Sequence, residues 1–147
     1  MAQYARPSVD KNNPGSWVNQ ADSGTNIYQT IDETVADDAD YIKSPVAPSS
    51  AAYVTTLSTV EDPQSSSGHV VRYRYGKDVA GGATVNVTVE LRQGYVSEVS
   101  QGTLIHQEVH NSIADGWTAG TFTLSSGEAD SITDYASLYL RIVATQV

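Results

Sequence analysis

The stretch Ala83-Thr84-Val85-Asn86-Val87-Thr88-Val89-Glu90-Leu91 alternates apolar and polar residues without a break. Successive side chains of a β-strand point to opposite faces of a sheet, so a period of two predicts a strand with one buried and one solvated face. This is the strongest pattern in the chain. It places the apolar residues of the stretch in a core and leaves Thr84, Asn86, Thr88 and Glu90 in water.

Shorter pieces of the chain follow the same pattern on both sides of this strand. Turn-forming residues separate them every eight to twelve residues, which is typical of an antiparallel sandwich or barrel. Only the stretch near 126–133 indicates a helix, because a Ser can cap it and acidic residues stand in its first turn. The further strands are predicted at 53–60, 70–75, 95–99, 103–109, 117–124 and 138–144.

The composition agrees with an all-β fold. Ser and Thr supply 31 of the 147 residues and Val supplies 17, whereas Cys is absent. Residues with hydroxyl or β-branched side chains suit pleated strands, and a chain of this length builds one core. We therefore expect one antiparallel jelly-roll-like β-sandwich over residues 27–147, without disulfides or thiolate metal sites.

Charge and hydropathy argue against two classes of partner. The net charge is −9 and the sequence pI is about 4.5, with eight scattered Lys and Arg. Phosphate backbones need clustered cations, so we expect no nucleic-acid partner. The longest apolar run is 51–54, much shorter than the roughly 20 residues that span a bilayer, so we expect no membrane partner.

The first 26 residues differ from the rest because they are rich in Pro, Gly and Asn, which resist regular structure. We expect an irregular N-terminal arm over 1–26. Its large side chains are the candidates for contacts with other proteins: Tyr4, Arg6, Pro7 and Trp17. The pattern leaves open whether Trp17 is anchored in its own domain or in a neighbouring subunit.

No arrangement of residues matches a catalytic motif, so we expect a protein that is not an enzyme and that needs no cofactor. His106 and His110 have a spacing used for metals on helices, but on a strand they would stand roughly 13 Å apart. The acidic residues between Asp32 and Asp40 leave a calcium ion open, although their spacing differs from a calcium loop. The nine Tyr and two Trp leave sugar stacking open.

Three segments together resemble small virion proteins of tailed bacteriophages. They are Ile31–Thr34 with Asp37–Pro45, then Ser67–Arg74, and finally Glu128–Tyr135. The resemblance extends from Arg6-Pro7 to the last strand. It implies a jelly-roll capsid cement or decoration protein, made in the host cytoplasm and placed on the outer face of the virion head.

The resemblance further implies that the partners are the major capsid protein and other copies of this chain, as a dimer or trimer. A contrasting hypothesis is a tail-fibre or receptor-binding module that recognises host surface polysaccharide through exposed aromatic residues. A third is a glycan-cleaving enzyme that uses Asp37, Asp38 or Asp40.

Overall fold

The computed structural model describes residues 2–80 and 82–147, and across these residues the fold is an antiparallel all-β sandwich. The elements in chain order are β1 (Pro7–Asn12), β2 (Val18–Asn19), a 3₁₀ turn (Ile27–Thr30), β3 (Ile42–Lys43), β4 (Ala51–Leu57), β5 (Val70–Lys77), β6 (Val85–Gln93), β7 (Thr103–His110), β8 (Gly116–Thr123), α1 (Ser126–Asp130), a second 3₁₀ turn (Tyr135–Ser137) and β9 (Leu138–Gln146).

Strand pairing is nested in the way expected for a jelly roll. From β4 onward the first strand pairs with the last (β4 with β9), the second with the fifth (β5 with β8) and the third with the fourth (β6 with β7). Pairing of β6 with β9 joins these ladders into a main sheet of order β1-β4-β9-β6-β7. The expectation of a jelly-roll-like sandwich is confirmed.

The β5–β8 pair covers one half of the inner face of the main sheet. Val71, Tyr73 and Tyr75 alternate with exposed Val70, Arg72 and Arg74, as the sequence predicts. The inward side chains pack on a cluster that includes Val89, Leu91 and Phe122. Gly120 of β8 leaves room for the Tyr73 ring, which would meet any Cβ at that position.

Irregular chain covers the other half of the inner face. Trp17 and Ile27 pack there against Tyr53 of β4 and Ala144 of β9, with Ile42 of β3 beside them. This second layer is therefore a two-stranded sheet continued by chain from residues 17–42. The apolar side chains of this irregular chain cover the part of the main sheet that further strands would cover in a larger sandwich.

The predicted helix is present as the short α1. Ser125 forms a capping box with Glu128: its hydroxyl accepts from the Glu128 N–H, while the Glu128 carboxylate accepts from the Ser125 N–H at 2.7 Å. Ala129 and Ile132 bury the apolar side of this turn in the core. No helix among the described residues is long and apolar enough to cross a membrane.

Three expectations need correction. The arm over 1–26 is not irregular throughout, because Pro7–Asn12 forms β1 in the main sheet and Val18–Asn19 pairs with β3. The segment 95–99 is no strand but part of a loop that folds over the outer face of the sheet. Glu90, expected in water, is only 5% exposed because this loop covers it.

Candidate protein-contact surfaces

Side-chain hydrogen bonds fix β1 to the rest of the fold. The Asp10 carboxylate accepts from the backbone N–H groups of Ile27 and Tyr28, both at 2.9 Å, and from the Tyr53 hydroxyl at 2.6 Å. Burial, followed by this contact with Asp10, raises the pKa of the Tyr53 hydroxyl. On the outer face the Asn12 amide donates to the Tyr95 hydroxyl at 2.9 Å. The edge strand is therefore tied down on both faces.

Three of the four predicted contact residues stand together beside this strand. The Arg6 guanidinium lies 5.5 Å from the centre of the Tyr4 ring, and Tyr4 is 68% exposed. Pro7 begins β1, and Val9 is 53% exposed. The Arg6 carbonyl accepts from the Ser58 N–H and the Arg6 N–H donates to the Ser58 hydroxyl, which holds this chain in place. We call Tyr4, Arg6, Pro7 and Val9 the β1 surface.

Trp17 does not belong to this surface. It is 7% exposed, and its indole N–H donates to the Ala51 carbonyl at 3.2 Å. The Asn13 side chain bonds both the N–H and the carbonyl of Trp17. The residue is an anchor within its own domain, so its place among the contact candidates is corrected.

The opposite edge of the main sheet presents a second surface. Leu104 and Val109 of β7 are each 42% exposed. They lie on the outer face, since the register pairs Leu104 with Arg92 and Val109 with Thr88. Exposed Gln107 stands between them on the same face, opposite Glu90. We call Leu104, Gln107 and Val109 the β7 surface.

A cluster of paired charges lies between the two edges, under the loop 94–102. Arg141 of β9 contacts Glu90 of β6 at 3.3 Å and Glu98 of the loop at 2.7 Å. Arg92 contacts the same carboxylate oxygen of Glu90 at 2.6 Å. The bond from Arg141 holds the pKa of Glu98 below its usual range. Because guanidinium groups bind both carboxylates, this cluster fixes the loop 94–102 to the outer face of the sheet.

The histidines of β7 lie between the two layers and take separate partners. The His106 ring stacks on Phe122 with centroids 4.3 Å apart, and its Nδ1 lies 2.7 Å from the Glu128 carboxylate. His110 stacks on Tyr75 at 4.0 Å and bonds the Tyr73 hydroxyl at 2.7 Å. Burial, and secondly the charge of Glu108, raises the pKa of Tyr73 to about 12.

The acidic segment 32–40 is bound by protein groups. Asp38 accepts from Arg74 at 2.7 Å, and Asp40 accepts from the Gln20 amide. Burial raises the pKa of Glu33, and the neighbouring Asp40 raises it further. Within residues 2–80 and 82–147, no three His, Asp or Glu side chains are grouped so as to hold a metal ion.

An aromatic pair stands on the outer face of the β5–β8 sheet. Trp117 is 41% exposed, and its ring centroid lies 5.5 Å from that of Tyr41. Gly76 of β5 pairs with Trp117, and Arg74 lies two residues along β5 on the same face of the sheet. The ion pair of Arg74 with Asp38 is therefore next to the aromatic pair. Aromatic rings with neighbouring charged hydrogen-bonding groups are typical of sugar-stacking sites.

Sequence reasoning named Tyr4, Arg6 and Pro7 of the β1 surface but neither Val9 nor the β7 surface. Leu104 and Val109 look like ordinary strand residues, and only the strand order reveals that they lie on a free edge. Comparison of the chain with family models, with curated proteins and with solved structures finds no match.

Proposed function

We propose that this protein is a capsid cement or decoration protein of a tailed bacteriophage, bound to the outer face of the virion head. The observation that supports the proposal is the pair of exposed surfaces at opposite edges of one sheet in a two-layer body. A body with two such surfaces can contact two neighbouring proteins at once, and this role requires no catalysed reaction. The β1 surface contacts the major capsid protein, and the resemblance in the sequence supplies the class of partner.

The β1 surface has the composition of a protein interface. It combines an exposed Tyr stacked by an Arg with Pro and Val, and Tyr and Arg are enriched at interface centres. This segment is already held by bonds of the Arg6 backbone to Ser58 and of the Gln3 side chain to the Glu61 backbone. Little conformational entropy is lost on binding, so even a small contact contributes to affinity. Repetition over the head lattice then adds avidity.

Imaging of the virion tests the location. Virions of the phage that encodes this chain are labelled with an antibody against it and viewed by cryo-electron microscopy. We expect label over the whole head, with copies numbering in the hundreds. Label at the tail tip alone, or none on the virion, would overturn the proposal.

Point substitutions test the surface more sharply than a deletion, since removal of the N-terminal residues would also remove β1. Tyr4→Ala with Arg6→Glu removes the exposed ring and reverses the charge beside it, and should lower binding to undecorated heads at least tenfold, or about 1.4 kcal/mol. The matched control is Val70→Ala, which changes an exposed residue of β5 away from this edge. Equal binding by the double variant and by wild type would remove the β1 surface from the proposal.

The Tyr41–Trp117 pair favours a second candidate function, recognition of host surface polysaccharide by a tail-fibre module. The exposed Trp117 ring beside the half-buried Tyr41 offers stacking to a sugar, and the Arg74–Asp38 pair offers hydrogen bonds. A glycan array with wild type and Trp117→Ala separates the two. Micromolar binding lost in the variant favours this candidate, and no binding by either protein favours the cement.

A further inference from the structure

The outer edge of β7 is an open strand of eight residues. It is the last strand of the main sheet, and no backbone group of Thr103–His110 bonds to any element other than β6 among the described residues. The strand contains no Pro, Lys or Arg. Natural edges usually carry such residues to prevent pairing with another chain. The edge is therefore suited to accept a further strand.

We propose that a second copy of this chain occupies this edge, with the two β7 strands antiparallel about a two-fold axis at Gln107. The two five-stranded sheets then form one continuous sheet. The interface is isologous, as in most homodimers. The inference goes beyond the proposed function, because the dimer forms with or without a capsid.

The side chains of β7 complement themselves in this register. A two-fold axis at Gln107 sets His106 opposite Glu108 of the partner subunit, and both lie on the inner face. An imidazole opposite a carboxylate is a favourable cross-strand pair. A shift of the axis to Glu108 would instead set two carboxylates opposite each other, which is unfavourable. Charge therefore selects the register.

The bulge in β7 lets the exposed apolar residues also pair about a two-fold axis at Gln107. The register shift between Leu91 and Arg92 leaves Ile105 as an extra residue, so Leu104 returns to the outer face. Leu104 then lies opposite the partner's Val109, and the symmetric contact repeats on the other side of the axis. Two exposed apolar pairs become covered, in addition to the new backbone hydrogen bonds.

Sedimentation of the full chain measures the dimer, and a charge swap tests the register. Leu104→Lys with Val109→Lys sets Lys opposite Lys in both pairs and should raise the dimer dissociation constant at least tenfold. Leu104→Lys with Val109→Glu sets Lys opposite Glu in both pairs and should restore the dimer. The matched control is Val9→Lys on β1, which should leave it unchanged.

Each outcome decides the proposal. Wild type is measured in 100-fold dilution steps from roughly 1 mM. The pairing of β7 edges is overturned if wild type is monomeric at every concentration, or if the double-Lys variant still dimerises. Loss of the dimer in both double variants overturns the register at Gln107. If thermal melting shows that a double variant is unfolded, Gln107→Arg replaces it, since it sets like charges together at the axis on an exposed residue. Binding to phage heads is measured in a separate experiment. A protein that fails to bind heads can therefore still be shown to dimerise, and the two proposals are tested independently.

Discussion

The two edges of the main sheet are built in opposite ways. β1 is six residues long, begins with Pro7, carries Lys11 and has two irregularities in its pairing with β4. β7 is eight residues long, has one irregularity near its start and exposes Leu104 and Val109. Proline, lysine and bulges are the usual means by which a sheet edge resists strand addition.

The difference separates two kinds of binding surface. β1 is the edge proposed to contact another protein through side chains, because its backbone edge is blunted while Tyr4 is exposed and the Arg6 guanidinium lies beside the Tyr4 ring. β7 offers its backbone, because it carries no Pro, Lys or Arg and its one irregularity lies near its start. The two edges also differ in attachment: β1 depends on side-chain bonds, whereas β7 depends on its ladder with β6 and on two histidine contacts.

The largest expected effect comes from Asp10→Ala. The substitution leaves the Tyr53 hydroxyl and the N–H groups of Ile27 and Tyr28 without their shared acceptor. Loss of a charged acceptor from several buried donors costs roughly 3 kcal/mol. Urea unfolding at neutral pH should show this decrease in the free energy of unfolding.

The control for Asp10→Ala is the same substitution at Asp130, an exposed residue of α1. It should change the free energy of unfolding by less than about 0.5 kcal/mol. A similar small change for Asp10→Ala would mean that β1 is held by its ladder alone, and the contrast in attachment between the two edges would disappear.

Local patterns predicted the strands that are buried on one face. Alternation in Val85–Gln93 and Val70–Lys77 specifies the strand and its inward face, because the period of two is a property of the segment itself. The nested pairing follows less directly. It depends on contacts between segments far apart in the chain, so the sequence indicated the class of fold but not the strand order.

The errors have physical causes at particular residues. β1 escaped prediction because its Pro and Asn are turn-forming residues, and an edge strand tolerates them. The segment 95–99 follows a hairpin-like Gln93-Gly94 pair, which favours a strand, but it folds as a loop in which Tyr95 is buried with its hydroxyl bonded to Glu98. For the candidate site, aromatic exposure was predictable near Tyr4, whereas a free edge at β7 became visible only from the sheet order.

A smaller effect is expected from Tyr95→Phe, which cuts the tie between β1 and the loop on the outer face. The Tyr95 hydroxyl accepts from Asn12 at 2.9 Å and donates to Glu98 at 2.6 Å. The variant should lose about 1.5 kcal/mol in urea unfolding. Tyr139→Phe is the matched control, since its hydroxyl makes no hydrogen bond among the described residues and its ring packs beside Tyr95. Equal stability of the two variants would contradict an outer-face tie.

The smallest effect concerns the link between β7 and α1, and it depends on pH. The bond from His106, followed by those from Ser125, lowers the pKa of Glu128 from 4.5 to about 2. A carboxyl group whose pKa is lower in the folded state stabilises the fold above pH 4.5 and loses this contribution as the pH falls toward 2. Glu128→Gln keeps a capping side chain but removes the charge.

We therefore expect Glu128→Gln to lower the free energy of unfolding by at most about 1 kcal/mol above pH 5, since Glu128 is partly exposed. The gap from wild type should close between pH 4.5 and 2. The control in the same helix is Asp130→Asn, which changes an exposed carboxylate that has no contact with His106. A constant gap across this range would mean that the charge of Glu128 does not stabilise the fold, and β7 would then be held to the second layer by His110 and its apolar residues.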